Sequence, residues 1–268
     1  MKEFFGFGTG EYPYGRPADG FLSWQHLVFV STFVIIGVTL AIILGKLNKN
    51  KDVKTKNKVL IWAAILIDVF EIVKIIIGCI DDINYLRVSL PLFLCSIQLI
   101  TIPLAAFCKG RLKDAALDFV LIFGILGGIL GTVGAAQNYD AYPAFSWPNF
   151  VSNTTHTISA FASIYIGLSG MKSMKKENMV ITYGILFGFG ITAYVANIIL
   201  DYNYMFLMNH DGTPYVILYN LLNGSPVLYP ISVMLLFVVY ITIFYLVCFK
   251  LQKGKCKVSS GLETETIE

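Results

Sequence analysis

Few side chains in this sequence are suited to acid, base or nucleophilic chemistry, and most of them sit inside apolar stretches. Cys95 closes the run Leu90-Pro91-Leu92-Phe93-Leu94-Cys95. The five cysteines (Cys79, Cys95, Cys108, Cys248 and Cys256) include no CxxC pair and no histidine at metal-ligand spacing, so neither a zinc site nor a disulfide framework is indicated. A cysteine that acts here acts singly; the plain alternative is a small core residue, because buried cysteine behaves as a hydrophobe. His156 lies among Thr154, Thr155 and Thr157 and is suited to be a base, a proton relay or a ligand contact, or a hydrogen-bonded core residue. Asp68, Glu71 and Lys74 recur at i, i+3 and i+6, so neighbours along a helical row can neutralise one another. They read either as an ion-pair row that fixes packing or as site charges, with Glu71 the one expected to face a cavity. Gln98 shares a helical face with Pro91 and Cys95, His26 opens the first apolar stretch, and Asn197, Asp201, Asn203 and Tyr204 close a later one. No metal and no cofactor is implied.

The elements that must carry these residues are transmembrane helices. With 56% hydrophobic and 14% charged residues and a mean hydropathy of +0.69, the chain is far from the roughly 25% charge of a soluble domain. Apolar runs near 23–46, 58–80, 87–107, 115–135, 150–170, 179–200 and 226–249 approach the ~20 residues that cross a bilayer. The fold class expected is therefore all-α, a polytopic bundle of about seven transmembrane helices. Basic residues stay on the cytoplasmic side during insertion. Lys49, Lys51, Lys54 and Lys56 fill the first gap, Lys109, Arg111 and Lys113 the third, Lys172, Lys175 and Lys176 the fifth, and Lys250, Lys253, Lys255 and Lys257 the tail. Asp81, Asp82, Asp140, Asp201 and Asp211 occupy the alternate gaps. An outside amino terminus, a cytoplasmic carboxyl terminus and a multi-pass place in the cell membrane follow. The unusual polar residues then fall in the outer half, which argues for a pocket opening outward or to the outer leaflet. Cys95, at 1.5 Å per residue, is expected about 10 Å below the outer surface.

Residues 1–22 lack the basic start and continuous apolar run of a signal peptide and read as an extracellular or interfacial segment; 23–250 form the membrane domain, and 251–268 a cytoplasmic tail of disordered composition. Small residues let helices approach in lipid. Gly124, Gly127, Gly128, Gly131 and Gly134 mark the fourth helix for close packing, and Gly184 with Gly188 the sixth. The fifth, the least apolar, is expected at the centre. A charge of +3 gives no support to nucleic-acid binding. Asn153-Thr154-Thr155 and Asn223-Gly224-Ser225 match a glycosylation acceptor pattern, a weak three-residue signal.

The Leu-Pro-x-x-Leu-Cys segment, His156 on its polar helix and Asn203-Tyr204-Met205-Phe206-Leu207 before the last span together resemble the YwaF-like family of bacterial integral membrane proteins, related to eukaryotic TMEM-class membrane acyltransferases. The resemblance covers nearly the whole chain. It implies a cysteine nucleophile assisted by histidine, mapping onto Cys95 and His156, in an enzyme that moves or cleaves fatty acyl groups of lipids. The partners implied are membrane lipids, as acyl donor and acceptor. His26, Glu71, Gln98, Asn197, Asn203 and Tyr204 are the supporting or substrate-binding candidates. The competing function is a small-solute transporter or membrane-embedded binding component, in which His156, Glu71, Asp68 and Asn197 bind a polar solute; repeated halves and paired broken helices, which often mark transporters, are not evident. A scaffold or sensor without turnover is a third reading.

Overall fold

A computed structural model describes residues 2–7, 21–135, 138–139 and 142–264. Most of the amino-terminal segment and Asp140 thus lie outside the described residues, as do the side chains beyond Gln252. The chain divides into two compact units, Met1–Lys172 and Ser173–Glu268. Among the described residues there is helix and no strand.

The first unit holds α1 (Lys2–Phe5), α2 (Trp24–Asn48), α3 (Val53–Asp81), α4 (Tyr85–Val88), α5 (Gln98–Phe107), α6 (Gly110–Thr132) and α7 (Trp147–Ser169). The polar helix α7 is its hub, touching α2, α3, α5 and α6. Its buried face carries Asn153, Thr155, Ser159, Ser163 and Ser169, of which Thr155 and Ser159 donate to carbonyls of their own helix at 3.0 and 2.9 Å. The glycines of α6 let that face come close. A methyl group at Gly124 would stand 2.5 Å from the Ser159 carbonyl oxygen and 2.7 Å from Ser163 Cβ, and one at Gly128 would stand 2.6 Å from Ala160 Cβ. Ser163 Oγ donates to the Leu121 carbonyl at 2.7 Å across the same seam. On α2, Gly37 and Gly45 perform the same service against Thr157 and Leu168. Outward-facing Ile35, Ile36, Trp62 and Ile129 are more than half exposed, as expected where the surrounding medium is apolar. Asn153, one of the two glycosylation matches, is buried at 3% exposure and closed to modification.

One predicted span is overturned. Residues 87–107 do not form a continuous helix: α4 ends at Val88, an irregular segment follows, and α5 begins only at Gln98. Pro91 has no N–H and biases Leu90 away from helical geometry. The Leu92 N–H bonds back to the Leu90 carbonyl at 2.7 Å. Pro91 is therefore not at a helix's first turn, and the depth of Cys95 cannot be reckoned from a helical rise.

The second unit holds α8 (Lys176–Leu200), a 3-10 turn (Tyr204–Phe206), α9 (Val216–Leu221) and α10 (Leu228–Thr264). Here α8 meets α10 through two hydroxyl pairs, Thr182 with Tyr245 at 3.0 Å and Tyr183 with Thr242 at 2.7 Å. Gly190, not Gly184 or Gly188, supplies the close approach, against Met234. Within this unit the latter two glycines have no close partner, so they do not build the seam expected of them. The last helix runs on to Thr264, through residues whose composition suggested an unstructured tail.

Helices α2, α6, α8 and the stretch Leu228–Gln252 are long and apolar enough to cross a membrane. The other two long helices, α3 and α7, span 29 and 23 residues and carry the charged row and the polar face.

Candidate active site

In the first unit, Cys95 sits in the turn just before α5, and His156 two and a half turns into α7. The structure brings them together. The Cys95 thiol and the His156 imidazole lie within interaction range of each other. Both residues are partly exposed, so the pair is neither sealed in the core nor open to bulk solvent.

The ring of His156 has one orientation and one favoured tautomer. Its Nδ1 lies 2.6 Å from the Ser152 carbonyl oxygen, an atom that can only accept. The proton of neutral His156 therefore resides on Nδ1, leaving the Nε2 lone pair for the thiol. Ser152 Oγ lies 3.4 Å from the same nitrogen and accepts from Asn138 Nδ2 at 2.8 Å. Across the ring, α6 presents Gly131 and Gly127. A methyl group at Gly131 would collide with the His156 ring at Cδ2 and Nε2, while one at Gly127 would stand 3.7 Å from Cys95 Cα. These glycines make the space in which sulfur and nitrogen meet.

Helix α5 contributes from behind the sulfur. The Ser96 backbone N–H and hydroxyl are directed at Cys95, the hydroxyl at 4.0 Å, and the amino terminus of a helix carries partial positive charge. One turn on, Gln98 is fully buried. Its Oε1 accepts from Thr101 Oγ1 at 3.1 Å, whereas its Nε2 is buried without a hydrogen-bond partner among the described residues. The remaining charges belong to α3: Lys74 Nζ and Glu71 Oε1 are 2.6 Å apart, and Lys74 is within electrostatic range of both Cys95 and His156.

The other candidates have different surroundings. His26 is fully buried, with Nδ1 accepting from the Leu22 N–H at 2.9 Å, Nε2 3.5 Å from the Thr132 carbonyl and its ring against Tyr139 at 4.1 Å. Both its nitrogens face backbone groups. Asn197, Asn203 and Tyr204 belong to the second unit. Asn197 brackets Tyr204, accepting from its N–H at 2.6 Å and donating to its carbonyl at 3.0 Å. Asn203 accepts from Met208 N–H and donates to Asp211. These contacts shape the 201–211 loop; His210, Nδ1 accepting from Gly212 N–H at 3.1 Å, is part of the same loop. No cluster of three metal-ligating side chains occurs among the described residues.

Sequence reasoning named Lys74 only as part of a charge row and Ser152 only as one of the polar residues of the fifth helix, and passed over Asn138 and Asp118. Ser152 had a readable signal, its i−4 position on the helix of His156. Asn138, distant along the chain, had none. Asp118 is wholly buried on α6, and a lone carboxylate in an apolar run is itself a signal.

No curated protein and no solved structure matches the chain. A family model does, over residues 21–251, a stretch that takes in α2 through most of α10 and both motif-bearing segments. By that match the chain is an integral membrane protein and belongs to the TMEM164 family.

Proposed function

We propose that this protein is a membrane-embedded enzyme that transfers or hydrolyses fatty acyl groups of lipids, with Cys95 as nucleophile and His156 as base. The single observation that carries the reading is the contact between the Cys95 thiol and a His156 ring whose Nδ1 is committed to the Ser152 carbonyl at 2.6 Å. A lone structural cysteine requires no such partner.

In the proposed cycle His156 Nε2 takes the thiol proton as sulfur attacks a lipid ester carbonyl. The S–C bond forms, the ester C–O bond breaks, and the imidazolium returns the proton to the departing alcohol. A second lipid alcohol or water, deprotonated by His156, then attacks the thioester and releases Cys95. The unused Gln98 Nε2 and the Ser96 N–H are the donors assigned to the developing oxyanion, a contribution worth about 3–4 kcal/mol where one such donor has been removed. On the charge alternation of the loops we further assign seven crossings, with the broken α4–α5 region as one of them and the carboxyl terminus in the cytoplasm. The Leu90–Cys95 and Asn203–Leu207 motifs support a place in the YwaF-like bacterial branch.

The test is lipid turnover by purified full-length protein in mixed vesicles, with Cys95→Ala and His156→Gln as variants. Cys95→Ala is expected to abolish acyl exchange while the helical spectrum is kept. Undiminished turnover in that variant sinks the reading and returns the solute-transport alternative, for which Cys95 is dispensable.

A further inference from the structure

The acyl-transfer scheme makes no use of the connection from α2 to α3, where positive charge is most concentrated. Lys46, Lys49, Lys51, Lys54, Lys56 and Lys58 fall within 13 residues, with Asp52 the one acid among them. All but Lys56 are exposed, and the ammonium groups of those five have no ion-pair or hydrogen-bond partner among the described residues. That basic residues gather on one side of a membrane follows from insertion alone. Insertion does not require that they be held in place.

Here the backbone that carries them is pinned. Asn48 Nδ2 donates to the Tyr165 hydroxyl at 3.1 Å, and that hydroxyl donates to the Lys56 carbonyl at 3.0 Å. One buried tyrosine of α7 thus ties the last residue of α2 to the first turn of α3. The Lys51 N–H bonds back to the Asn48 carbonyl at 3.0 Å. The Asp52 carboxylate is taken up by the backbone and hydroxyl of Thr55 rather than by a lysine. The other basic gaps are built differently. Between α5 and α6, Lys113 turns inward and donates to Asn57 at 2.6 Å and to the Ala105 carbonyl at 2.7 Å. Between α7 and α8, Lys172 belongs to one unit, and Lys175 and Lys176 to the other.

Apolar side chains are interleaved with these cations. Leu47, Val53 and Trp62 are each more than 60% exposed. Trp62 lies one turn beyond Lys58 on the same side of α3, and tryptophan favours the headgroup level of a bilayer. We propose that the α2–α3 connection is a binding surface for anionic phospholipid headgroups of the leaflet at that end of the first unit. Phosphate oxygens complement ammonium donors that have no competing carboxylate, and clustered lysines beside a membrane-spanning helix attract acidic lipid. The apolar neighbours lie where acyl chains begin, a contact that a soluble polyanion would not use. The proposal is independent of any chemistry at Cys95.

The test is native mass spectrometry of the full-length protein in detergent, with phosphatidylglycerol and phosphatidylcholine of identical chains supplied together at equal concentration. The quantity read is the ratio of the two lipids bound. Each lysine near an anionic surface contributes about fivefold in affinity, so wild type is expected to favour phosphatidylglycerol about tenfold or more. The triple variant Lys49→Gln, Lys51→Gln, Lys54→Gln is expected to bring the ratio to within about twofold of parity. The control triple Lys172→Gln, Lys175→Gln, Lys176→Gln is expected to keep the wild-type ratio; all six lysines are exposed, so neither variant disturbs the packed interior. A wild-type ratio near parity overturns the proposal. So does equal loss in both triple variants, which would make the preference a matter of the summed charge of the chain. Displacement of the bound phosphatidylglycerol by inorganic pyrophosphate at matched concentration overturns it as well, because the surface would then be one for soluble phosphate.

Discussion

In the proposed chemistry His156 would depend on atoms that are not reactive themselves. The Ser152 carbonyl fixes the Nδ1 proton, and the absence of a side chain at Gly131 leaves room for Nε2. Gly131→Ala should therefore act as a reaction mutant: the added methyl displaces the ring from Cys95. We expect Cys95 alkylation at neutral pH to slow about tenfold or more, since ångström-scale misplacement of a reacting group can cost about a hundredfold. The helical content of the variant should be unchanged. A labelling rate equal to wild type would show that the ring and sulfur need not stay in contact. Cys95 and His156 were both legible as single residues of unusual type. Their pairing was implied by the family resemblance alone and not by spacing, because 61 positions separate them in the chain and the segment carrying Cys95 is not the helix its hydropathy suggests.

At the scale of elements, the helices were largely readable from apolar run length, and α7 was readable as the hub from its serines and threonines. What could not be read was which glycines touch a neighbour. Gly124 and Gly184 look alike in sequence, yet a methyl at the first meets backbone at 2.5 Å and one at the second meets nothing within 4 Å. Gly124→Ala should cost about 1–3 kcal/mol of stability, whereas Gly184→Ala should be neutral or stabilise by up to about 1 kcal/mol; thermal unfolding in detergent ranks the two, and equal shifts would contradict the packing described. Asp52 gives α3 a pH-dependent start. Its carboxylate accepts from Thr55 N–H at 3.0 Å and Thr55 Oγ1 at 2.6 Å, bonds that hold its pKa below the usual carboxylate range. A depressed folded pKa contributes stability that is full above the ordinary carboxylate value and is lost as pH falls through the folded one. Asp52→Ala should thus lower the melting temperature near neutral pH, with the difference from wild type vanishing in acid. A difference that persists in acid would place the effect elsewhere.

In the first unit, exposed apolar side chains surround a polar interior gathered on α7, and Cys95 and His156 meet where the turn before α5 and α7 face the glycines of α6. The alternation of basic and acidic gaps sets the expected orientation. A reporter fused after residue 250 should be active only on the cytoplasmic side, and one placed in the gap carrying Asp81 and Asp82 only outside; the reverse pattern would invert the topology. Charge counting can reach that far. It cannot reach the approach of Cys95 to His156, which exists only once α7 and the irregular segment before α5 have packed. The most direct measurement of the central claim is covalent labelling of full-length protein with a thiol-reactive, lipid-like acyl probe, followed by mass-spectrometric mapping. The account predicts an adduct on Cys95 ahead of every other cysteine, falling sharply in His156→Ala; even labelling of all accessible cysteines, indifferent to His156, would contradict it.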